Sequence, residues 1–338
     1  MPSAYRIESF EPRAAAYQAA AELLDKVWPE WPASAAFMAR FDEETGPDHA
    51  SRRLLARAPT VGQVVAMAEW RPHLRLDDPT QFQLSLSVDP QHRRRGLGAE
   101  LWRRALAALP AGASQVEVET SEDRPEAVRF LLQRGFHERL RMQLSELELE
   151  RFDPARFAGA VETAEAGGLR LRDLGEGGAE DERLLRALHA LEGEAMPDAP
   201  GADGYVAAPF ERWRRAYHAN PDFRPELHLL ALDGERVVGM TQLWASQATD
   251  AILFTGFTGV ARSHRRRGIA TALKVRVLER ARALRTASGQ APLVRTGNAE
   301  RNPMLAINLQ LGFSPRPSRL VMVRDLSAAP APGAAQGH

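Results

Sequence analysis

Hydrophobic residues follow two repeating patterns along the chain, and each pattern predicts a type of element. In the stretch 82–88 apolar and polar residues alternate, which predicts a strand with one buried face. Leu97, Leu101 and Ala105 recur every four residues and predict a helix with one apolar face. Applied to the whole chain, these two patterns predict an alternation of short strands and helices.

The predicted elements occur in nearly the same order twice. The first half has predicted strands at 5–10, 53–57, 63–70, 82–88, 116–120 and 136–149, and predicted helices at 16–27, 34–41, 97–109 and 125–134. The second half has predicted strands at 169–174, 227–232, 237–244, 252–260, 293–296 and 319–326, and predicted helices at 179–191, 210–218, 273–284 and 303–310. A Gly/Pro/Asp-rich loop is expected at 192–209.

Short motifs also repeat at corresponding places in the two halves. The pentapeptide His-Arg-Arg-Arg-Gly occurs at 92–96 and again at 264–268, each time between a predicted strand and a predicted helix. Two further pairs of similar motifs keep the same order, so an ancestral duplication is the simplest explanation. We therefore predict an N-terminal domain at 1–150, a linker at 151–168, a C-terminal domain at 169–326 and a disordered Ala/Pro/Gly-rich tail at 327–338.

Length and composition narrow the possible functions. The 338 residues suit two domains, and 44 basic residues balance 44 acidic ones at a pI near 7.2, which argues against nucleic acid as the main partner. The absence of cysteine excludes disulfides, thiolate metal sites and a cysteine nucleophile. No apolar run approaches a membrane span and the N-terminus lacks a signal-peptide core, so we expect a cytoplasmic protein without a membrane or metal partner.

The repeated basic turn has the chemistry of a phosphate site. Backbone N–H groups at a helix N-terminus lack helical partners and carry partial positive charge, and glycine lets an anion approach them closely. The arginines add forked donors for phosphate oxygens. A solvated arginine run before a helix is the alternative, and the second copy in the same position makes it less favoured.

These residues resemble a known family. Arg93-x-x-Gly96-x-Gly98 and Arg265-x-x-Gly268-x-Ala270 match the Arg/Gln-x-x-Gly-x-Gly/Ala signature of the GNAT acyltransferases. The resemblance covers nearly the whole chain as two GNAT domains in tandem, similar to the mycothiol synthase type. It implies an α/β (α+β) fold in which each domain has a mixed, mostly antiparallel sheet flanked by helices, with a splay between the strands that flank the acetyl-CoA site.

The resemblance also implies acetyl-CoA as the acetyl donor and a set of residues that bind it. The turn residues would hold the pyrophosphate, the ends of the preceding strands would meet the pantetheine arm, and two asparagines would contact that arm in the second half. The implied cofactor-binding residues are Val88, Arg93, Arg94, Arg95, Gly96, Leu97, Gly98, Val260, Arg265, Arg266, Arg267, Gly268, Ile269, Ala270, Asn298 and Asn302.

Catalysis is less well determined by the sequence. In many GNAT enzymes a tyrosine acts as the general acid at the position where this chain has Leu131 and Asn308. We therefore name Asn308 as one candidate catalytic group. The loop residue Glu192, which would border the second acceptor site, is the other. Glu69 is a weaker candidate for a base. Direct attack by a substrate amine on the thioester is the simplest mechanism, since no other nucleophile is evident.

The function that we expect is therefore N-acetyl transfer to the primary amine of a small molecule, with the C-terminal domain catalytic because the three asparagines occur only there. Two alternatives remain. Both domains could turn over, or the protein could be a non-catalytic acyl-CoA-binding sensor. We expect a monomer or a homodimer.

Overall fold

The computed structural model of the protein describes residues 5–45, 52–59, 62–73, 78–175, 177–200, 202, 205–218 and 220–326. Contacts divide the chain into two compact units. The first unit comprises 1–140 together with 319–338, and the second comprises 141–318. The predicted tail at 327–338 lies outside the described residues.

The elements follow the two predicted series closely. In the first series they are β1 Arg6–Ser9, α1 Ala14–Val27, α2 Ala35–Thr45, β2 Arg52–Arg57, β3 Val64–Pro72, β4 Gln81–Val88, α3 Leu97–Ala107, β5 Gln115–Ser121, α4 Pro125–Leu132 and β6 His137–Glu148. In the second they are α5 Ala158–Ala166, β7 Leu169–Asp173, α6 Glu182–Ala195, α7 Phe210–His218, β8 His228–Asp233, β9 Arg236–Trp244, β10 Ile252–Val260, α8 Ile269–Arg282, β11 Leu293–Ala299, α9 Pro303–Gln310 and β12 Ser314–Asp325. The described residues contain no helix with the length and apolar character of a membrane span.

Burial explains why these segments take these forms. Phe82 and Leu84 on β4 are buried and Gln83 between them only partly so, whereas further along the strand Ser87 is buried and Leu86 and Val88 are only partly buried. On α3 the buried side chains are Leu97, Leu101, Trp102 and Ala105, which form one face against the sheet. The predicted helical spacing of α3 is therefore that of the observed core, and the predicted alternation holds in the first half of β4, since Leu86 and Val88 line the cleft.

Each unit has one mixed, mostly antiparallel sheet. In the first unit the strand order is β1-β2-β3-β4-β5-β12, and in the second it is β6-β11-β10-β9-β8-β7. The parallel pairs are β4 with β5 and β10 with β11. The remaining pairs within each sheet are antiparallel.

One strand from each series completes the sheet of the other unit. The last strand, β12, pairs with β5 through 319–325, and its Leu320 and Met322 lie in the first core. Strand β6 pairs with β11 through 142–148, and its Leu147 lies in the second core. The units thus divide the chain differently from the predicted boundaries at 150 and 169. The physical reason is that alternation indicates a buried face and does not identify the neighbouring strand.

The stretch 151–168, for which the sequence predicts a linker with some helical character, is part of the second core. It contains α5, and Phe152, Val161 and Ala164 are buried in the second core. The stretch is rich in alanine, glutamate and glycine and shows no clear apolar pattern, so the sequence did not indicate that these three apolar residues belong to the core of the second unit.

Candidate active site

In both units the parallel strand pair separates after three residues. Strand β4 pairs with β5 only over 81–83 and 115–117, and β10 pairs with β11 only over 252–254 and 293–295. Beyond these positions the backbone groups that face the gap have no partner in the neighbouring parallel strand. Each gap therefore offers hydrogen-bonding groups to an extended ligand.

The first basic turn lies at the end of β4, beside this gap. The Nε of Arg93 donates to the carbonyl oxygen of Val88 at 3.1 Å. Arg94 has a φ of 61° and Gly96 a φ of 78°, both in the left-handed region that favours glycine. The side chain of Arg93 thus fixes the turn against the strand that precedes it.

Helix α3 begins directly after Gly96. The N–H of Glu100 donates to the carbonyl oxygen of Gly96 at 3.1 Å. Within the described residues, the N–H groups of Leu97, Gly98 and Ala99 precede this first helical bond and have no backbone partner. These groups and the positive end of the helix form a site for an anion such as a pyrophosphate.

The second basic turn has the same conformation. The Nε of Arg265 donates to the carbonyl oxygen of Val260 at 3.1 Å, Arg266 has a φ of 62° and Gly268 a φ of 76°. Helix α8 then begins with the buried residue Ile269. The two copies of the motif therefore form the same local structure.

A cleft of about 740 Å³ opens from the first turn. Its walls are the turn at Arg94 and Gly98, the end of β4 at Leu86, and β5 at Thr120. Helix α4 closes it with Phe130 and its neighbours. The volume lies within the range of small-molecule and cofactor sites.

The two turns differ in their charge environment. The carboxylate of Asp198 lies 2.7 Å from the guanidinium of Arg265 and 2.8 Å from that of Arg262. The backbone N–H of Arg262 donates to Glu194 at 2.7 Å. Hydrogen bonds from Arg262 and then Arg265 hold the pKa of Asp198 well below its usual value. No carboxylate among the described residues contacts Arg93, so the second turn carries its own counter-ions and the first does not.

The three asparagines of the second unit lie around α9. Asn302 caps the helix by accepting from the N–H of Met304 at 2.9 Å. Asn308 is fully buried and donates to Asn298 at 2.7 Å. The corresponding position in α4, Leu131, is buried in the first core. Asn298 and Asn308 therefore form one internal pair that ties α9 to β11.

Glu192 lies on α6 and not in a loop, because this helix continues to Ala195. Its carboxylate accepts from the Nε1 of Trp213 at 3.1 Å. The ring of Trp213 packs 4.5 Å from that of Tyr217, centroid to centroid. The candidate residue is thus bound to an aromatic cluster in the second unit.

That cluster centres on His228 and Gln242, which face each other across β8 and β9. The hydroxyl of Tyr217 lies 3.0 Å from the Nδ1 of His228 and also accepts from Gln242. Burial lowers the pKa of His228 to about 3 and, together with the charge of Glu192, raises the pKa of Tyr217 well above its usual value. Apart from Glu192, the side chains that fill this region of the second unit are therefore neutral and mostly aromatic.

The matching position in the first unit holds an ion pair. Arg53 and Glu69 face each other across β2 and β3, with Nε and Oε2 3.1 Å apart. Arg53 is almost fully buried and also pairs with Asp42. The sequence indicated Glu69 as a weak candidate base, and the structure shows that its carboxylate already has a cationic partner.

Beside Glu69 lies a second pocket of the first unit, of about 370 Å³. It includes Arg71 from β3 and Glu117 and Glu119 from β5. Sequence reasoning did not single out these three residues. The signal was present in β5, where glutamates alternate with buried Val116 and Val118.

Comparison with known proteins identifies the family. The family model described as the acetyltransferase (GNAT) family matches residues 17–136 and 187–294, together more than half of the chain. The protein belongs to the GNAT acetyltransferase family. It is thus an acyltransferase of a family that uses acetyl-CoA as co-substrate, with two GNAT regions in tandem. No curated protein matches the sequence.

Solved structures share the fold at low identity. A GCN5-related N-acetyltransferase from Sphaerobacter thermophilus is 22% identical with a TM-score of 0.67, and the match covers 96% of each chain. A tandem GNAT protein from the clavulanic acid biosynthesis pathway is 20% identical with a TM-score of 0.72, covering 96% of this chain and 99% of that one. The tandem arrangement and the mixed α/β fold predicted from the sequence are confirmed.

Within the described residues no group of three His, Asp or Glu side chains is arranged to hold a metal ion. The charged groups near the two gaps include ion pairs, such as Arg265 with Asp198 and Arg319 with Glu119, and arginines without a described carboxylate partner, such as Arg93.

Proposed function

We propose that this GNAT protein transfers the acetyl group of acetyl-CoA to the primary amine of a small molecule, by direct attack in a ternary complex. The observation that carries the proposal is the first basic turn, which presents unpaired helix N–H groups to a 740 Å³ cleft beside a splayed strand pair. The pyrophosphate of acetyl-CoA would bind at Gly96, Leu97 and Gly98. The pantetheine arm would follow the end of β4 at Val88.

The arginines of the turn would add charge around the phosphates. Arg93 holds the turn in place through Val88, while Arg94 lines the cleft directly. The Nη1 of Arg95 donates to the hydroxyl of Tyr5 at 3.3 Å, which keeps this guanidinium beside the turn. Binding would therefore weaken as salt is raised.

The second turn could hold the same part of acetyl-CoA with Gly268, Ile269 and Ala270, because its backbone conformation is the same. In that unit the family resemblance assigns the pantetheine arm to Asn298 and Asn302. Asn302 accepts from its own helix and Asn298 from Asn308, so their oxygens are already used. Their amide hydrogens would remain as the groups that reach a ligand.

We propose that the first unit carries turnover. Its cleft is open, its Arg93 has no carboxylate partner among the described residues, and a pocket adjoins the cleft at the same strands. The prediction from sequence assigns turnover to the second unit, and one feature favours it. Strand β10 has an irregular pairing between Thr255 and Thr258, and such bulges are common beside active sites.

A pair of matched variants separates these possibilities. Tryptophan in place of Gly96 or Gly268 places a large side chain at the first or second turn. We expect Gly96→Trp to abolish acetylation of an amine panel and Gly268→Trp to leave most of it. The reverse result would place turnover in the second unit, and partial losses in both would mean that both units are active.

Calorimetry on the same proteins tests the sensor alternative. We expect acetyl-CoA to bind the unaltered protein and to be consumed when an amine is added. Binding without consumption across the panel would identify a sensor. Absence of binding by all three proteins would contradict the proposed function altogether.

A further inference from the structure

The 370 Å³ pocket meets the 740 Å³ cleft at two residues of the first unit. Trp28 and Glu119 line both cavities. Glu119 lies on β5 two residues beyond Glu117, where the pairing between β4 and β5 ends. A ligand in the smaller pocket could therefore reach the gap where the proposed function puts the thioester.

The carboxylates of this pocket each have an arginine partner. Glu119 lies 3.0 Å from Arg319, and Glu117 pairs with Arg139. Glu69 pairs with Arg53, as described above. One ammonium group can share the half-exposed carboxylate of Glu119 with Arg319, whereas a second would have to compete with Arg139 or Arg53 for a more buried carboxylate.

Arg71 is the exception among the cations. Its Nε donates to the side-chain oxygen of Gln83 at 3.2 Å, and its guanidinium lies 4.8 Å from the centroid of the Phe41 ring. Both neighbours are uncharged, and no carboxylate among the described residues pairs with Arg71. The guanidinium keeps donors available for an anion.

Arg71 and Glu119 lie at opposite ends of the pocket. Arg71 faces Gln83 across β3 and β4, and Gln83 faces Glu117 across β4 and β5. Arg71 is thus two strands away from Glu117, and Glu119 lies two residues further along β5. Strand spacing and rise put about 12 Å between the two Cα atoms, a span that the two side chains reduce from both ends.

We propose that this pocket is the acceptor site of the first unit and that its substrate carries a carboxylate as well as the primary amine. Arg71 binds the carboxylate, and Glu119 meets the ammonium group beside the cleft. This inference rests on the proposed function, since it places the acceptor next to acetyl-CoA. It excludes simple diamines as the preferred substrates.

The reaction at this site balances as an ordinary aminolysis. The ammonium group of the acceptor gives one proton to Glu119, and the free amine then forms a bond to the acetyl carbonyl carbon. The tetrahedral intermediate breaks its C–S bond, and the departing sulfur takes the second proton from the nitrogen. The products are the amide, coenzyme A as the thiol and one proton, which leaves Glu119 for solvent.

The test compares amino acids with amines that lack only the carboxylate. 4-Aminobutyrate is paired with propylamine, and lysine with cadaverine. Titration calorimetry in the presence of coenzyme A measures binding to the full-length protein without any need for turnover. We expect the amino acids to bind more tightly than their partners, and Arg71→Gln to weaken amino-acid binding by about 10- to 100-fold, the usual effect of a lost charged hydrogen bond.

The amines and a conservative variant provide the controls. Arg71→Gln should change propylamine and cadaverine binding by less than about twofold, and Arg71→Lys should recover part of the amino-acid binding. Equal weakening for acids and amines would show a structural role and overturn the inference. So would tighter binding of cadaverine than of lysine, or no binding by any of the four probes.

Glu119→Gln tests the other end of the pocket. We expect kcat to fall by about 10²- to 10⁴-fold, the usual contribution of a general base, with little change in the KM for acetyl-CoA. An unchanged kcat would remove Glu119 from the proposal. A protein that binds amino acids through Arg71 and acetylates none of them would contradict the proposed function while keeping the site.

Discussion

The guanidinium of Arg265 in the second basic turn lies 2.7 Å from the carboxylate of Asp198. The matching Arg93 of the first turn has only the backbone of Val88 as a described polar partner. Two turns of the same shape therefore offer different net charge to an incoming phosphate.

We predict that Asp198→Asn strengthens coenzyme A binding at the second turn, because the arginines lose a competing anion. The gain should be about two- to fivefold at low salt and should disappear in high salt, since this ion pair is exposed. Calorimetry in a Gly96→Trp background isolates the second turn. The control is Glu235→Gln, which removes the exposed carboxylate that pairs with Arg183 in the same unit. This variant should leave coenzyme A binding unchanged.

The buried position of Arg53 predicts that its substitution strongly lowers the stability of the protein. Its side chain is only 2% exposed and joins Asp42 to Glu69. We expect Arg53→Met to lower the free energy of unfolding by about 3–5 kcal/mol, because two carboxylates lose their shared cation in a poorly solvated place. Denaturant unfolding measures this change. Arg183→Gln, which breaks an exposed pair with Glu235, should cost less than about 1 kcal/mol, and equal costs would contradict the prediction.

His228 predicts a pH dependence of stability in the second unit. Burial lowers its pKa in the folded protein to about 3, whereas the unfolded chain binds the proton near pH 6.5. Falling pH therefore favours the unfolded state. The contribution of neutral His228 to the free energy of unfolding is fully present above pH 6.5 and is lost as the pH falls towards 3. The slope should approach about 1.4 kcal/mol per pH unit in that window.

The matched variant for this prediction is His228→Gln. Both proteins are unfolded in urea at several pH values, and the difference between their free energies of unfolding is plotted against pH. We expect the difference to move in favour of the variant as the pH falls below 6.5. A difference that is independent of pH would show that His228 does not stay neutral in the folded protein.

Two residues on either side of position 318 belong to different cores, which predicts that their substitutions have separate effects. Met322 lies in the core of the first unit and Phe313 in that of the second. We expect Met322→Ala to cost about 2–5 kcal/mol and to speed hydrogen exchange in β3, β4 and β5. Phe313→Ala should instead speed exchange in β9, β10 and β11, and identical exchange patterns would contradict the assignment of β12.

Local patterns in the sequence were sufficient for much of the fold. The alternation in β4 and the four-residue spacing in α3 reflect burial within a few residues, so both elements were predictable. The turns at Gly96 and Gly268 were predictable as well, because their conformation depends on residues close in sequence. The pairing of β12 with β5 joins residues about two hundred positions apart, and no local pattern records it.

The candidate site was predicted less completely. The family signature located both turns, but it did not show that Asp198 lies against Arg265, since a loop residue's partner depends on the path of the chain. Asn308 was named as a catalytic candidate from its position before a Gly-Phe pair, and the structure places it in a buried pair with Asn298. Arg71 was missed because a lone arginine on a strand has no distinctive pattern.

The last described strand determines which half of this protein can fold without the other end of the chain. Residues 141–318 contain the whole second unit, so its sheet can close without the residues that follow. The first unit leaves the ribosome earlier but waits for 319–325, and until then the edge of β5 can pair with another chain. A premature stop near residue 318 would therefore yield an intact C-terminal half joined to an incomplete N-terminal half, the reverse of the usual result of truncation.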